Sequence, residues 1–243
     1  MPIADDIDDV RARLAAARRP AALAGAGLSA ESGVPTFRGA GGLWRRYRPE
    51  ELASPAAFAR DPKLVWEWYD WRRGLIAKTE PNEGHRALAE IEARFPEFWL
   101  ITQNVDGLSR LAGSLRALEL HGNIWRMRCT GCARTLENRQ TPLPELPPAC
   151  GNCGELLRPD IVWFGESLPP GVLDKAFIAA RESDLFLVVG TAGVVEPAAS
   201  LARLAKANGA FVVEINPDET ALSEECDISL RGKSGETLPR LLD

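Results

Sequence analysis

The chain has 243 residues, 45% of them hydrophobic and 26% charged, with a formal net charge of -5. That length carries one sizeable core plus a small appendage, and the composition is that of an ordinary soluble globular protein. The acidic balance argues against a specific nucleic-acid partner, and no apolar run is long enough to span a membrane. The acidic start, Met1 to Asp6, has neither signal-peptide nor transit-peptide character. A monomer in a reducing cytoplasm is therefore expected.

Residues 5–19 read as a short amphipathic helix, acidic in its first turn and arginine-rich in its last, as the helix dipole favours. Residues 21–24 read as a short buried strand that runs straight into Gly25-Ala26-Gly27. Apolar runs of the same character follow at 98–101, 118–120, 185–189 and 211–215, and helical patterns occupy 84–95, 170–181 and 197–208. Alternating helices and near-continuously apolar strands predict an α/β chain with a doubly wound parallel sheet, Rossmann-like in plan. Two insertions interrupt the alternation, a helical one near 40–80 and a cysteine-bearing one near 126–157. The expected division is thus 1–40, 80–125 and 158–243 in the larger domain, with 41–79 and 126–157 forming the smaller one.

Four of the five cysteines fall in the pattern Cys129-x2-Cys132-x17-Cys150-x2-Cys153. Two CxxC turns at this separation suit one tetrahedral Zn²⁺ held by four thiolates. A pair of disulfides is the competing reading, and a reducing compartment opposes it. A closed four-thiolate site has no open position, so the metal is expected to be structural. Cys226 lies among Glu224, Glu225 and Asp227, which disfavour its thiolate, and reads as inert.

Gly25-x-Gly27-x-x-Ala30 after a strand fits a dinucleotide fingerprint, in which glycines let the backbone approach a pyrophosphate. A plain tight turn fits the same residues. The acidic residue expected about 20 positions on is absent, so this is not a standard dehydrogenase site. Thr102-Gln103-Asn104-Val105-Asp106 and His121 each follow a strand, where side chains reach a ligand crevice. His85 starts a helix and reads as a surface or packing residue. Tyr69 and Arg72 lie one turn apart on a tryptophan-rich helix and share a face. By itself that stripe also fits an aromatic helix packing into the small domain with Arg72 in water.

Together these segments resemble the sirtuin family of NAD-dependent protein deacylases, in a bacterial form. The resemblance is carried by GAGLSAESGVPTFRG (25–39), TQNVDGL (102–108), LHGN (120–123), the CxxC pair, PDIVWFGE (159–166), VGTAGVVEPAA (189–199) and EIN (214–216). The stretch 43–73, with Tyr69-x-x-Arg72, resembles the class III branch that acts on acidic acyl groups. The resemblance implies NAD as cofactor, acyl-lysine proteins or peptides as partners, and nicotinamide and O-acyl-ADP-ribose as products. It implies His121 as general base on the ribose hydroxyls, with Asn104 and Asp106 holding the nicotinamide carboxamide. Gly25, Ala26, Gly27, Ser29, Phe37, Arg38 and Gln103 would wrap the nicotinamide half of NAD and its phosphates. Gly190, Thr191, Ala192, Asn216 and Ser234 would line the phosphate and adenosine end.

For the substrate it implies peptide binding as an added strand beside Val162, Phe164 and Val195. Ala53 would leave room for a bulky acyl chain, and Tyr69 with Arg72 would bind an acyl carboxylate. Three positions depart from the family pattern. Ala192 and Ser109 replace a serine and a histidine, and Glu196 adds a carboxylate expected to favour basic peptides. A deacetylase-dominant sirtuin and a mono-ADP-ribosyltransferase are the alternatives. A non-catalytic NAD- or nucleic-acid-binding module conflicts with the acidic charge and the full catalytic set.

Overall fold

A computed structural model describes residues 3–36 and 48–242. Six parallel strands form the larger sheet: β1 (Pro20–Ala24), β2 (Trp99–Thr102), β3 (Ala117–Glu119), β7 (Leu185–Val189), β8 (Phe211–Ile215) and β9 (Ile228–Leu230). Their spatial order is β3-β2-β1-β7-β8-β9. All five residues of β1 are buried, as befits a strand paired on both sides with helices over both faces. Pro20 occupies its first position, where a missing N–H is tolerated. Strand order reverses between β1 and β7, and a crevice opens there beyond the carboxyl ends of the strands.

Helices α1 (Ile3–Ala16) and α6 (Glu83–Arg94) cover one face, with Val10, Leu14, Leu88 and Ile91 in its core. On the other face α8 (Pro170–Glu182) and α9 (Ser200–Ala207) supply Ala176, Ala180, Leu201 and Ala205. The first helix stops at Ala16, short of the expected 19, because the Asp184 carboxylate takes the main-chain N–H groups of Arg18 and Arg19 at 2.6 and 3.1 Å. Strand β9 was not foreseen. Its three residues centre on Ser229 and offer no period to read, and only pairing with β8 makes them a strand.

A second sheet is antiparallel, ordered β5-β4-β6, from β4 (Gly122–Cys129), β5 (Thr135–Glu137) and β6 (Leu157–Ile161). Helices α3 (Pro49–Leu52), α4 (Pro55–Arg60) and α5 (Pro62–Ile76) pack on it. Trp66 of α5 is fully buried and donates its indole N–H to the Leu157 carbonyl at 2.7 Å. Arg73, also fully buried, reaches the carbonyls of Asn138 and Gln140. The two insertions therefore share one core, which also contains Cys129 and Cys150.

One buried carboxylate organises the chain after β8. Glu214, with no side-chain exposure, accepts hydrogen bonds from Thr220, Ser223 (2.6 Å), Ser229 (3.1 Å) and Arg231 (2.6 Å). Burial alone would raise its pKa, but the Ser223, Thr220 and Arg231 donors outweigh it and hold the carboxyl below the ordinary range. Glu214→Ala should cost about 1–3 kcal/mol, the range for a buried acceptor whose donors can rehydrate. Arg231 is 34% exposed, so the larger penalty of an isolated buried charge does not apply. Because the folded pKa is depressed, this contribution is full above the unfolded value of about 4.3 and fades as pH falls through the folded one. Urea unfolding of both proteins at pH 7 and at pH 3 checks both statements.

Candidate active site

The loops after β1, β2, β7 and β8 open into one cleft of about 640 Å³, walled on its other side by the smaller sheet and α5. Such a volume is typical of a small-molecule site. Gly25, Ala26 and Gly27 line it from β1, and Gln103 and Asn104 from β2. Gly190, Thr191, Ala192 and Val195 come from β7, and Asn216 from β8. His121, Ala53, Tyr69, Arg72, Val162 and Phe164 complete the residues expected in the sequence. Ser29, Asp106 and Ser234 do not line the cleft and lie buried instead. Phe37 and Arg38 lie outside the described residues.

The glycines of the fingerprint answer first to the neighbouring loop. A Cβ on Gly25 would lie 2.7 Å from the Thr191 Cβ, and one on Gly27 would lie 2.7 Å from the Gly190 Cα. The Gly27 N–H donates to the Gly190 carbonyl at 2.7 Å. Gly190 itself has φ +59, and a Cβ there would meet the Leu28 nitrogen at 2.5 Å. Two bare backbones thus cross in contact at the switch point, and any side chain would separate them.

Behind this crossing runs a buried polar chain that the sequence reading did not anticipate. His85 is 1% exposed, not a surface residue, and its Nδ1 accepts from the Asn82 main-chain N–H at 3.3 Å. The imidazole proton therefore sits on Nε2, which donates to the Ser29 hydroxyl at 3.2 Å. Ser29 donates onward to Asp106 Oδ2 at 2.8 Å and accepts from Asn104 Nδ2 at 3.1 Å. Burial, with Arg86 adding to it, pushes the His85 pKa down to about 4, so the ring stays neutral. Asp106 is raised by burial and partly restored by the Leu108 N–H, Ser29 and Arg72. Asn104 spends its other amide hydrogen on the Gly25 carbonyl at 2.9 Å, so its own oxygen is what it offers a ligand.

His121 stands between the two sheets, after β3 and directly before β4. Its Nδ1 lies 3.0 Å from the Gln103 carbonyl. A carbonyl only accepts, so the proton is on Nδ1 and the lone pair on Nε2. Gln103 is held in turn by Thr191 Oγ1 at 2.9 Å, and Asn216 Nδ2 reaches the Thr191 carbonyl at 3.0 Å.

On α5, Tyr69 and Arg72 are 1% and 5% exposed, so the guanidinium is not in water. The Tyr69 oxygen accepts the Trp163 indole N–H at 2.9 Å. Burial raises the phenol to about 12, against the opposing pull of Arg72 and Trp163. Burial also lowers the Arg72 pKa, with Tyr69 and Asp106 acting against it.

Glu196 is exposed on the cleft wall but is not an isolated charge. Its carboxylate accepts from the Ser200 hydroxyl and N–H and pairs with Arg203 at 2.8 Å. Cys226 is pushed up to about 12, chiefly by burial and then by Glu214, so the acidic neighbours in sequence are the smaller cause.

The four ribbon cysteines are free thiols whose sulfurs all lie within 4.8 Å of one another. The Cys129–Cys153 and Cys132–Cys150 sulfurs are 3.4 and 3.9 Å apart. Tetrahedral zinc with Zn–S bonds of about 2.3 Å places sulfurs about 3.8 Å apart, so the cluster fits that ion. The N–H groups of Gly131 and Cys132 point at the Cys129 sulfur, each at 3.4 Å, which favours thiolate. None of the four lines the cleft.

A model of the Sir2 family matches residues 25–197. An NAD-dependent protein deacylase of Aquifex aeolicus is 57% identical over 221 residues, covering 91% of this chain and 92% of its own. NAD-dependent protein deacylase 2 of Pyrobaculum aerophilum is 54% identical, over 95% of this chain and 92% of its own. Among solved structures, a Sir2 homologue in complex with NAD superposes with a TM-score of 0.90 at 49% identity, covering 97% of this chain and 92% of that one. A Sir2 protein bound to a myristoylated histone peptide superposes at 0.79 with 33% identity, covering 98% and 95%.

Metal analysis should find one Zn²⁺ per chain. Cys129→Ser or strong chelation should melt the smaller domain, seen as loss of near-ultraviolet dichroism from Trp66, Trp125 and Trp163 in its core. Structural zinc contributes on the order of 10 kcal/mol, comparable with the whole stability of a typical domain. Unchanged dichroism after verified zinc removal would rule this out.

Proposed function

The chain belongs to the Sir2 family, and on that premise we propose that it is an NAD-dependent protein-lysine deacylase preferring succinyl and malonyl groups. The observation that carries the acyl preference is the buried pair Tyr69 and Arg72, which lines the same cleft as His121. A carboxylate entering an apolar channel loses its hydration, which is tolerable only where a cation and a hydrogen-bond donor replace the water. Arg72 offers the charge and a planar fork, and Tyr69 is a phenol at every working pH. Ala53, also on the wall, adds no bulk.

The residues present fit NAD. Gly25, Gly27 and Gly190 line the cleft at the strand ends with bare backbone that a pyrophosphate can approach, and Thr191 and Asn216 line it beside them. NAD supplies the ribose that receives the acyl group, with nicotinamide as leaving group. Asn104, its amide hydrogens already spent, presents a carbonyl oxygen suited to a carboxamide N–H₂. The buried His85–Ser29–Asp106 chain holds Asn104 from behind through the Ser29 hydroxyl.

His121 acts as general base through Nε2 on a ribose hydroxyl. Gln103 holds the ring tautomer, and its carbonyl stabilises the imidazolium as the proton arrives. The peptide lies along 162–165 and 193–196 as an added strand. Val162 and Phe164 anchor that edge by donating to the His121 and Ala53 carbonyls at 3.0 and 2.9 Å. Exposed Phe164 and Val194 offer apolar contact at its mouth. Main-chain pairing of this kind makes sequence selectivity loose.

His121→Ala should lower deacylation by about 10²–10⁴-fold, the span for loss of a general base, with NAD binding retained. Near-normal turnover would remove His121 from that role. Charge-assisted hydrogen bonds are worth about 1.5–3 kcal/mol each, so two bias kcat/KM by roughly 10²-fold or more. Arg72→Met should therefore sharply reduce desuccinylation while deacetylation holds or rises, and Tyr69→Phe should do the same more weakly. Matched acetyl- and succinyl-lysine peptides decide it. Equal losses on both would leave a deacetylase-dominant enzyme in which Arg72 only supports the helix.

A further inference from the structure

Trp163 is 2% exposed and held on every side. The Arg158 guanidinium lies 3.5 Å above its ring, and Phe58 packs at 5.3 Å between centroids. Arg158 is fixed by a two-pronged pair with Glu166 at 2.6 and 2.8 Å, and Glu166 Oε2 also accepts the Trp163 main-chain N–H at 2.8 Å. The chain on either side is tied down through the Val162 and Phe164 N–H groups. The direction of the indole N–H is therefore set before any ligand arrives, and it ends on the Tyr69 oxygen at 2.9 Å.

We propose that Trp163 is a positioning residue for acyl choice, turning the Tyr69 hydroxyl into a donor aimed at the acyl carboxylate beside Arg72. The step rests on the acidic-acyl reading above. Indole N–H has one donor and no acceptor, so its partner oxygen must accept. The phenol O–H prefers the plane of its ring, and with one in-plane direction taken by the indole its hydrogen is left the other. An acetyl group has no carboxylate to accept that hydrogen, so the effect belongs in the ratio of the two activities.

The test is kcat/KM for succinyl- and acetyl-lysine forms of one peptide with wild type, Trp163→Phe, Tyr69→Phe, Arg72→Met and the Trp163→Phe/Tyr69→Phe double variant. Loss of one neutral hydrogen bond predicts a fall of about 3- to 10-fold in the succinyl-to-acetyl ratio for Trp163→Phe. The double variant should have the same ratio as Tyr69→Phe alone, because the indole acts only through that hydroxyl. A Trp163→Phe variant that lowers both activities equally overturns the proposal, as does a double variant in which the two losses multiply. Should Trp163→Phe not fold, benzothienylalanine at position 163 keeps the bicyclic shape and replaces the N–H with sulfur, and the same ratios decide. If Arg72→Met leaves the ratio unchanged, the acyl reading itself falls and takes this role with it. If Arg72→Met shifts the ratio and Trp163→Phe does not, only the Trp163 role falls.

Discussion

Where the loop after β1 crosses the loop after β7, backbone touches backbone: Gly25 and Gly27 lie against Gly190 and Thr191 with no room for a methyl group. That contact sets the floor of the cleft. It brings the end of the central strand beside its neighbour across the switch point, where two halves of a doubly wound sheet leave a crevice. Asn104 is tied to it through the Gly25 carbonyl, and Gln103 and Asn216 through Thr191. Three strands thus deliver their polar side chains to one place because two loops meet without side chains between them.

Around that floor the protein buries polar and charged groups that would be costly alone and are stable in company. His85 is held neutral, and its hydrogen bonds run in one direction through Ser29 to Asp106. Arg72 and Asp106 each moderate the other's burial across the same interior. Glu214 solves the problem differently, by collecting three hydroxyls and a guanidinium from a segment that otherwise has little structure of its own. That segment closes back on the cleft through Ala221, whose N–H reaches the Ala192 carbonyl at 3.4 Å.

The smaller sheet meets the larger one at His121 and Gly122. Gly122 has φ +81, and a Cβ there would lie 2.1 Å from the Asp160 carbonyl oxygen, so only glycine lets β4 leave in that direction. His121 therefore stands at a junction whose geometry both sheets dictate. Cys129 and Cys150 share one core with the α5 aromatics. A metal held by the four cysteines, remote from the cleft, would thereby stiffen the wall on which Tyr69, Arg72 and Trp163 stand.

Some of this was legible from the chain alone. Cysteine spacing announced a four-thiolate cluster, because ligand geometry is written in short-range spacing. The α/β alternation and the strand-end placement of Asn104, Asp106 and His121 followed from apolar runs and what ended them. Other features needed the fold. His85 lies 56 residues from Ser29 and 21 from Asp106 in sequence, and no local pattern joins them. Glu196 read as an open charge until Arg203 was found beside it, and Arg72 read as solvated on helical spacing alone. The glycines of the fingerprint were visible, but their partner at Gly190 was not. Local sequence determines which groups a segment can offer. Which of them face each other, and which are buried, depends on strand order and long-range packing, and only the tertiary structure decided that.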